Sequence, residues 1–423
     1  MLVDAWLPRA AAARPGHPAV NALTYVQLDA AAADAARRLA ARGAAPGARV
    51  GIALAPGEPY AIALHACLRL GAVAVPLDLR LPAPERARRA AGCAVVVDAP
   101  LDDGDGDERA ELPSAHDLDA PAIVVFTSGT SGASKPVALT YGNWLWSALG
   151  SAVALGCPPG ERWLCALPLT HVGGLSILLR SVIAATTAIV HERFETGRVL
   201  AELRRADGPT VVSLVPTTLA RLLDAGLRRP PALRWALLGG AAIPAALTAG
   251  ARRAGVPLAP TYGLTEACSQ VVTNGAPLFC TRVELAPDGE ILVSGPTVAP
   301  GSGPVLRTGD LGRRTRDGAL EVVGRKADTI VTGGENVAPT EVEDVLLAHP
   351  AVADAAVHGR PDPEWGEAVV ATVVLRPGAR ADAPALRRHC AARLAGYQVP
   401  KEVTFATALP RTASGKLLRG RLA

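Results

Sequence analysis

Lysine is scarce in this chain. Of its 43 basic residues only four are lysines, at positions 135, 326, 401 and 416. Because nearly all the other basic residues are arginines, a lysine suggests a site that needs the compact, mobile charge of an ammonium group instead of a planar guanidinium group. Lys135 and Lys416 lie in motifs described below, whereas Lys401 is explained as well by chance.

Cysteine pairs of the CxxC type, long apolar runs and a signal-peptide pattern are also lacking in the sequence. The seven cysteines form no CxxC pair and show no metal-ligand spacing, which favours a reducing, cytoplasmic setting. The N-terminus lacks the layout of a signal peptide, and no stretch reaches the ~18 apolar residues of a membrane span. The net charge of +4, without basic runs interleaved with aromatics, argues against nucleic acid as a partner.

The composition is that of a globular α/β protein with at least two domains. The chain has 423 residues, of which 49% are hydrophobic and 19% charged. Short apolar runs such as Val50–Leu54, Val73–Pro76 and Ile123–Phe126 alternate with helical segments such as Tyr25–Arg42. This alternation predicts mainly parallel α/β layers, and homo-oligomerisation stays open.

A domain boundary is expected at 324–328. Residues 1–325 would form a large α/β domain, and residues 329–423 a small α+β domain. In the second part we expect a helix at Pro339–His349 that begins with proline, a helix at Ala383–Leu394 and a last strand near Val403–Phe405.

A buried strand, Ile123–Phe126, leads into the segment TSGTSGASKP. Its glycines let backbone N–H groups face an anion, its hydroxyls add donors, and its lysine adds a full charge. The spacing is not GxxxxGK[ST], and Pro136 makes a following helix unfavourable, so this is not the loop of P-loop nucleotidases. Taken alone, the segment could equally be an ordinary surface loop. The candidate phosphate ligands are Thr127, Ser128, Gly129, Thr130, Ser131, Gly132 and Lys135.

Five further motifs follow in order. They are LPLTHVGG around His171, LLGGAAIP with Gly239, Gly240 and Ala241, TYGLTE from Thr261 to Glu266, RTGD ending at Asp310, and GRKAD from Gly324 to Asp328. Together with a glycine pair at Gly333–Gly334 and PRTASGK ending at Lys416, they resemble the signatures of the adenylate-forming superfamily of acyl-CoA synthetases, adenylation domains and luciferases. The resemblance covers essentially the whole chain, and Pro136 stands where that family has glycine.

The resemblance implies roles for these residues. His171 would shape the acyl pocket and sense ATP, and the segments at Gly239–Ala241 and Thr261–Gly263 would line the adenine, with the Tyr262 ring packed on it. Thr265 would bond the α-phosphate and Glu266 would hold Mg²⁺, since a carboxylate beside polyphosphate requires a cation between them. Asp310 would accept the ribose hydroxyls, and Arg325 would also reach the nucleotide.

The resemblance also implies a reaction in two halves. A carboxylic acid would be activated by ATP as an acyl-adenylate and then transferred to coenzyme A. Lys416 would be the catalytic lysine of the first half-reaction, because positive charge must offset two approaching anions. Rotation about Asp328 would withdraw it and bring Gly333–Gly334 to the site for thioester formation.

The sequence between residues 140 and 279 most resembles that of the o-succinylbenzoate–CoA ligases of menaquinone biosynthesis. The pair Ser269–Gln270, after the TYGLTE motif, is characteristic of them and would contact the acid together with His171 and Gly240. A loop that only caps the preceding turn would explain the pair as well. Another aryl- or acyl-CoA ligase stays open. A carrier-charging amino acid adenylation module is disfavoured, because residues 164–180 contain no acidic side chain to meet an α-amine.

Overall fold

A computed structural model describes residues 1–102, 104–128, 134–411 and 417–422, with Ser128 described in its backbone only. The helices are α1 (Trp6–Ala13), α2 (Tyr25–Ala41), α3 (Glu58–Leu70), α4 (Ala83–Ala90), α5 (Tyr141–Leu155), α6 (Val172–Ala184), α7 (Thr196–Arg204), α8 (Pro216–Asp224), α9 (Ala245–Arg253), α10 (Pro339–Leu347) and α11 (Ala383–Ala391). None of the described helices combines the length and the apolar character that a bilayer crossing requires.

The strands up to the end of the RTGD motif are β1 (Leu2–Asp4), β2 (Pro18–Val20), β3 (Leu23–Thr24), β4 (Arg49–Ile52), β5 (Val73–Pro76), β6 (Cys93–Val97), β7 (Ala115–Asp117), β8 (Pro121–Ser128), β9 (Ser134–Thr140), β10 (Arg162–Cys165), β11 (Thr187–Val190), β12 (Val211–Leu214), β13 (Trp235–Leu238), β14 (Leu258–Leu264), β15 (Ser269–Thr273), β16 (Ala276–Pro277), β17 (Arg282–Leu285), β18 (Glu290–Ser294) and β19 (Leu306–Arg314). The remaining strands are β20 (Leu320–Arg325), β21 (Ile330–Thr332), β22 (Glu335–Val337), β23 (Val352–Asp362), β24 (Gly366–Leu375) and β25 (Glu402–Phe405).

Two large sheets form the centre of the N-terminal part. One has the order β6-β4-β5-β8-β9, and the other runs β16-β15-β14-β13-β12-β10-β11-β2-β3. Their inner strands are parallel, as the alternation predicts, but β9, β15, β16 and β3 pair antiparallel at the edges. The main hydrophobic core lies between these sheets and their helices, with Leu64, Trp144 and Leu175 among its fully buried members.

Besides the two-stranded sheet β1-β7, the described residues form two further sheets. Strands β17-β18-β19-β20 form an antiparallel sheet that carries the RTGD motif. The C-terminal residues form the sheet β22-β21-β24-β23, with β25 parallel to β24, around a separate hydrophobic cluster that includes Val357 and Leu386. The structure therefore has the large α/β part and the small α+β part expected from the sequence. The exact limits 1–325 and 329–423 stay a prediction.

Individual elements follow the predicted pattern with shifted ends. The predicted helical segment Tyr25–Arg42 is α2, the apolar run Val73–Pro76 is β5, and Pro339 begins α10. The two C-terminal helices end earlier than expected, at Leu347 and Ala391. Helical spacing continues in the sequence past the point where packing supports it.

Candidate functional site

The phosphate-loop motif lies on an antiparallel hairpin. Strands β8 and β9 pair in a register that sets Thr127 opposite Lys135, and the Thr127 hydroxyl donates to the Lys135 carbonyl at 3.4 Å. A strand, not a helix, follows the lysine, which confirms that this is not a P-loop. The predicted phosphate ligands Gly129, Thr130, Ser131 and Gly132, and the side chain of Ser128, fall outside the described residues.

Charged side chains of helix α4 contact the start of strand β9 in this hairpin. The Ser134 hydroxyl donates to Glu85 at 3.0 Å, and Glu85 accepts from Arg88 and Arg89 at 2.7 Å. These arginines hold the pKa of the Glu85 carboxyl well below its usual range. The Arg89 guanidinium also lies over the Phe126 ring, 5.1 Å from its centroid. The lysine-bearing hairpin thus lies beside an arginine-rich helix, which suits an anionic ligand.

Thr265 and Glu266 lie on a short 3-10 helix directly after β14, and this turn packs against β9. The Glu266 carbonyl accepts from the Ala299 backbone N–H at 2.8 Å, which anchors the backbone of this turn. Among the described residues no group of three or more His, Cys, Asp or Glu side chains could hold a metal by itself. A single carboxylate fits Mg²⁺, which binds proteins through one or two carboxylates and takes its other ligands from phosphates and water.

Tyr262, Asp310 and Arg325 meet although they lie far apart in the sequence. The Tyr262 hydroxyl donates to Asp310 Oδ2 at 2.7 Å, and Arg325 Nε pairs with Asp310 Oδ1 at 2.7 Å. Burial, followed by the Asp310 charge, raises the pKa of Tyr262, so the phenol keeps its proton and can donate. The three residues assigned to the nucleotide therefore form one preorganised group.

The glycines near this group are needed for close approach of strands. A Cβ on Gly239 would lie 2.6 Å from the Thr261 carbonyl, and a Cβ on Gly263 would lie 1.7 Å from the Ser269 carbonyl. Gly240 has φ +80° and turns the chain toward Ala241. These contacts explain the glycines structurally, and they place the segments Gly239–Ala241 and Thr261–Gly263 side by side, as an adenine-lining role requires.

His171 lies just before the first turn of α6. Burial lowers its pKa, and the Arg80 charge lowers it further, whereas Asp78 acts in the opposite direction. The net effect is a neutral imidazole at physiological pH. A neutral ring beside two arginines suits a wall of an acyl pocket better than a proton donor.

Arg180, on the same helix, was not predicted from the sequence as a site residue. It is 5% exposed, and among the described residues it has no carboxylate partner. Its Nη2 donates to Ser147 Oγ at 3.2 Å and to Ser269 Oγ at 3.3 Å, its Nε has no hydrogen-bond partner, and its guanidinium lies 5.4 Å from the Trp163 ring centroid. The available signal was a lone arginine in the apolar run LSILLRS.

Ser269 and Gln270 take different positions. Ser269 has φ +90° and follows Cys268 at φ +52°, an uncommon pair for residues other than glycine, and this backbone turns the Ser269 hydroxyl toward Arg180. The buried Gln270 donates to Thr273 at 2.8 Å, which commits its amide nitrogen to the sheet. Ser269 is therefore tied to the buried arginine, and Gln270 is not.

The C-terminal motifs surround a second hairpin. Gly333 and Gly334, at φ +59° and +84°, form the turn between β21 and β22, and the Gly333 amide donates to the Trp365 carbonyl at 2.8 Å. Asp328 ends a 3-10 turn and lies 3.6 Å from Arg419. Lys416 falls outside the described residues.

The sequence and fold match known families over nearly their full length. The AMP-binding enzyme model matches residues 7–302, and the model for the AMP-binding enzyme C-terminal domain matches residues 341–416. A 2-succinylbenzoate–CoA ligase of Bacillus subtilis is 36% identical, with 99% of this chain and 97% of the relative covered.

Solved structures agree. An o-succinylbenzoate CoA synthetase from Bacillus subtilis, in complex with an acyl-adenylate intermediate, matches with a TM-score of 0.91 and 35% identity over 100% of this chain and 98% of that one. The same enzyme in complex with ATP and magnesium ion matches with a TM-score of 0.91 and 35% identity, over 100% of both chains. The chain belongs to the family of AMP-binding enzymes.

Proposed function

We propose that this protein activates o-succinylbenzoate with ATP as an acyl-adenylate and transfers the acyl group to coenzyme A, a step of menaquinone biosynthesis. The family relationship and the similarity to 2-succinylbenzoate–CoA ligases support the reaction class. The single observation that supports this particular substrate is the buried Arg180, which has no carboxylate partner among the described residues.

Arg180 supports an acid with a second carboxylate. Burial lowers the pKa of this guanidinium to about 10, so it stays charged at neutral pH. A buried charge without a counter-ion is costly, and a ligand carboxylate is the natural group to offset that cost. o-Succinylbenzoate has two carboxylates, one to react and one to pair with Arg180. A simple benzoate or fatty acid has only one.

Arg180 contacts the segment that follows the TYGLTE motif. Ser269, whose hydroxyl accepts from Arg180, comes three residues after Glu266 in the sequence, which supports placing the acid beside the proposed phosphate and metal position. An acid bound to Arg180 at one end can therefore present its other end to the α-phosphate. Positioning of this kind contributes a large share of catalysis in reactions that need no acid or base.

The chain's own residues supply charge and orientation. Lys135 and Lys416 offset the negative charge of the phosphates, and Tyr262, Asp310 and Arg325 hold the nucleoside. Glu266 would hold Mg²⁺, which when bound neutralises phosphate charge and favours departure of pyrophosphate. Asp328 would be the pivot, and Gly333–Gly334 would line the path of the CoA thiol in the second half-reaction.

The test replaces Arg180 and varies the acid. Acyl-adenylate formation would be measured by pyrophosphate exchange with o-succinylbenzoate and with two analogues, 4-oxo-4-phenylbutanoate and 2-butanoylbenzoate, each lacking one carboxylate. In Arg180→Gln we expect kcat/KM for o-succinylbenzoate to fall roughly 30- to 5000-fold, the range for loss of one partner of a buried charge pair. The analogue that keeps only the reacting carboxylate should lose less than about fivefold.

Arg162→Gln is the matched control, because Arg162 donates to the Gly208 carbonyl at the far end of β10. Arg162→Gln should change kcat/KM for all three acids by the same factor. An equal loss for all three acids in Arg180→Gln would contradict the assignment of the second carboxylate. Exchange stimulated by another acid but not by o-succinylbenzoate would contradict the substrate and leave the reaction class intact.

A further inference from the structure

Glu290 is a buried carboxylate outside every motif assigned above. It is 4% exposed and begins β18, the strand beside the RTGD strand β19. Its Oε1 accepts the Gly309 backbone N–H at 3.1 Å, and its Oε2 pairs with Arg307 and lies 3.5 Å from Lys326 Nζ. One carboxylate thus contacts two segments of the proposed nucleotide site.

The contact with Gly309 holds an irregular piece of backbone. Gly309 has φ +69°, and the register of β18 on β19 shifts between Glu290 and Leu292. Such bulges change the direction of the side chains that follow them. The next residue is Asp310, so the hydrogen bond from Gly309 to Glu290 fixes the point from which the Asp310 carboxylate is directed.

The contact with Lys326 positions Arg325, the ion-pair partner of Asp310. Lys326 follows Arg325, whose Nε pairs with Asp310 across β19 and β20. Lys326 Nζ pairs with Asp288 at 2.6 Å as well as approaching Glu290. Lysine is rare in this chain, and here it connects the predicted hinge to the sheet that binds the nucleotide.

We propose that Glu290 is a positioning residue for ATP, acting through Gly309 and Lys326 to hold Asp310 and Arg325 in register. This inference rests on the proposed ATP-dependent function. In this proposal Glu290 acts on the nucleotide only through its protein neighbours. Arg307 and Lys326, at 61% and 49% exposure, are too solvated for their ion pairs alone to justify a buried carboxylate, so backbone placement is its main effect.

The test is Glu290→Gln, with direct binding of ATP and of AMP measured by titration calorimetry on the full chain. The neutral glutamine carbonyl accepts the Gly309 N–H more weakly than the carboxylate does, so the hold on this backbone is loosened, and it no longer attracts Arg307 and Lys326. We expect the Kd of both nucleotides to rise about tenfold and the KM of the acid to change less than twofold. A residue that serves only overall stability would lower the melting temperature without separating nucleotide from acid.

Asp288→Asn is the matched control. It removes the other carboxylate partner of Lys326, at 47% exposure, and does not contact Gly309. It should leave nucleotide affinity within twofold. If Glu290→Gln does not fold, Lys326→Met tests the same coupling from an exposed position and should raise the Kd of ATP about threefold.

Unchanged nucleotide affinity in Glu290→Gln, or an equal loss for nucleotide and acid, would overturn the inference. So would unchanged affinity in Lys326→Met, if that variant replaces it. Failure of the wild-type protein to bind ATP would instead overturn the proposed function. The two failures are therefore distinguishable in one set of titrations.

Discussion

The charged side chains of the site are held by neighbours within the protein itself. Asp310 lies between the Tyr262 hydroxyl and the Arg325 guanidinium, and Arg180 lies between two serine hydroxyls and an indole ring. Groups held in this way need little reorganisation when the transition state forms, which is the main source of electrostatic catalysis. Substitutions at these residues should therefore change particular kinetic steps more than they change stability.

Lys416 should act in one half-reaction only. Lys416→Ala should slow acyl-adenylate formation by roughly 10²- to 10⁴-fold, by analogy with loss of one preorganised charge donor. Thioester formation from a preformed adenylate should be largely retained. Single-turnover assays of each half-reaction measure the two effects separately. Arg421→Ala, an exposed change in the same tail, should affect neither, and equal impairment of both half-reactions by Lys416→Ala would refute the role.

At the scale of elements, the β21–β22 hairpin offers a test of the thioester step. A Cβ on Gly333 would lie 3.0 Å from the Trp365 ring, and its φ of +59° disfavours other residues. Gly333→Ala should therefore displace the turn and slow acyl transfer to CoA about tenfold or more. Adenylate formation should change less than about threefold, because Gly333 is assigned only to the second step.

Gly378→Ala provides the control for backbone cost. Gly378 has φ +75°, but a Cβ there meets nothing within 4 Å. Both variants should lose about 1 kcal/mol or more of stability from the left-handed backbone. Only Gly333→Ala should lose thioester formation in stopped-flow assays with purified acyl-adenylate. A matching loss in Gly378→Ala would mean that backbone strain, not the turn's position, controls the step.

Much of this arrangement of elements could be predicted. Apolar runs and helical spacing locate β5 and α2, and the sequence TSGTSGASKP predicts the phosphate loop. The pairing of β9 back onto β8 was not predicted, because a lysine followed by proline excludes a helix without specifying a hairpin. The ends of α10 and α11 were also misplaced, since tertiary packing, not local spacing, ends them.

Some residues of the site could also be predicted from the sequence, and one could not. Tyr262, Asp310 and Arg325 were each predicted from a local motif, and the structure brings them together. Arg180 was missed because its meaning depends on Ser147, Ser269 and Trp163, which come from other elements. Burial without a counter-ion is a three-dimensional property, and no local sequence pattern records it.

At the scale of the whole molecule, two buried histidines make the fold sensitive to acid. Burial lowers the pKa of His65 and of His116 to about 4, with smaller contributions from His116 on His65 and from Arg69 on His116. His116 accepts the Trp6 backbone N–H at 3.2 Å and stacks on Tyr141 at 4.3 Å, so it must be neutral in the fold.

The direction of the effect follows from proton uptake. Below about pH 6.5 the unfolded chain protonates both histidines while the folded chain does not, so stability is lost as pH falls toward 4. The loss is at most roughly 3 kcal/mol for each histidine. Urea denaturation at pH 7, 6 and 5 should show the decline, and His65→Leu should make it shallower. A free energy of unfolding that does not change between pH 7 and 5 would contradict the prediction.

The C-terminal part has a hydrophobic core of its own. Residues around Val357 and Leu386 form a cluster separate from the main N-terminal core, as the proposed change of orientation between the two half-reactions would require. The Lys416 and Gly333 variants therefore test opposite steps of the proposed cycle, in which Asp328 would be the pivot.

The pairing of Thr127 with Lys135 fixes the face of the sheet on which each side chain of β9 lies. Successive residues of a strand point to opposite faces, so a shift of β9 by one residue against β8 would turn every side chain of β9 to the other face. Lys135 would leave its present face, and Leu139, which is now fully buried, would become exposed. A residue inserted within 135–139 should therefore cost far more stability than one inserted in a connection between strands, because the length of a connection adds little to the free energy of folding.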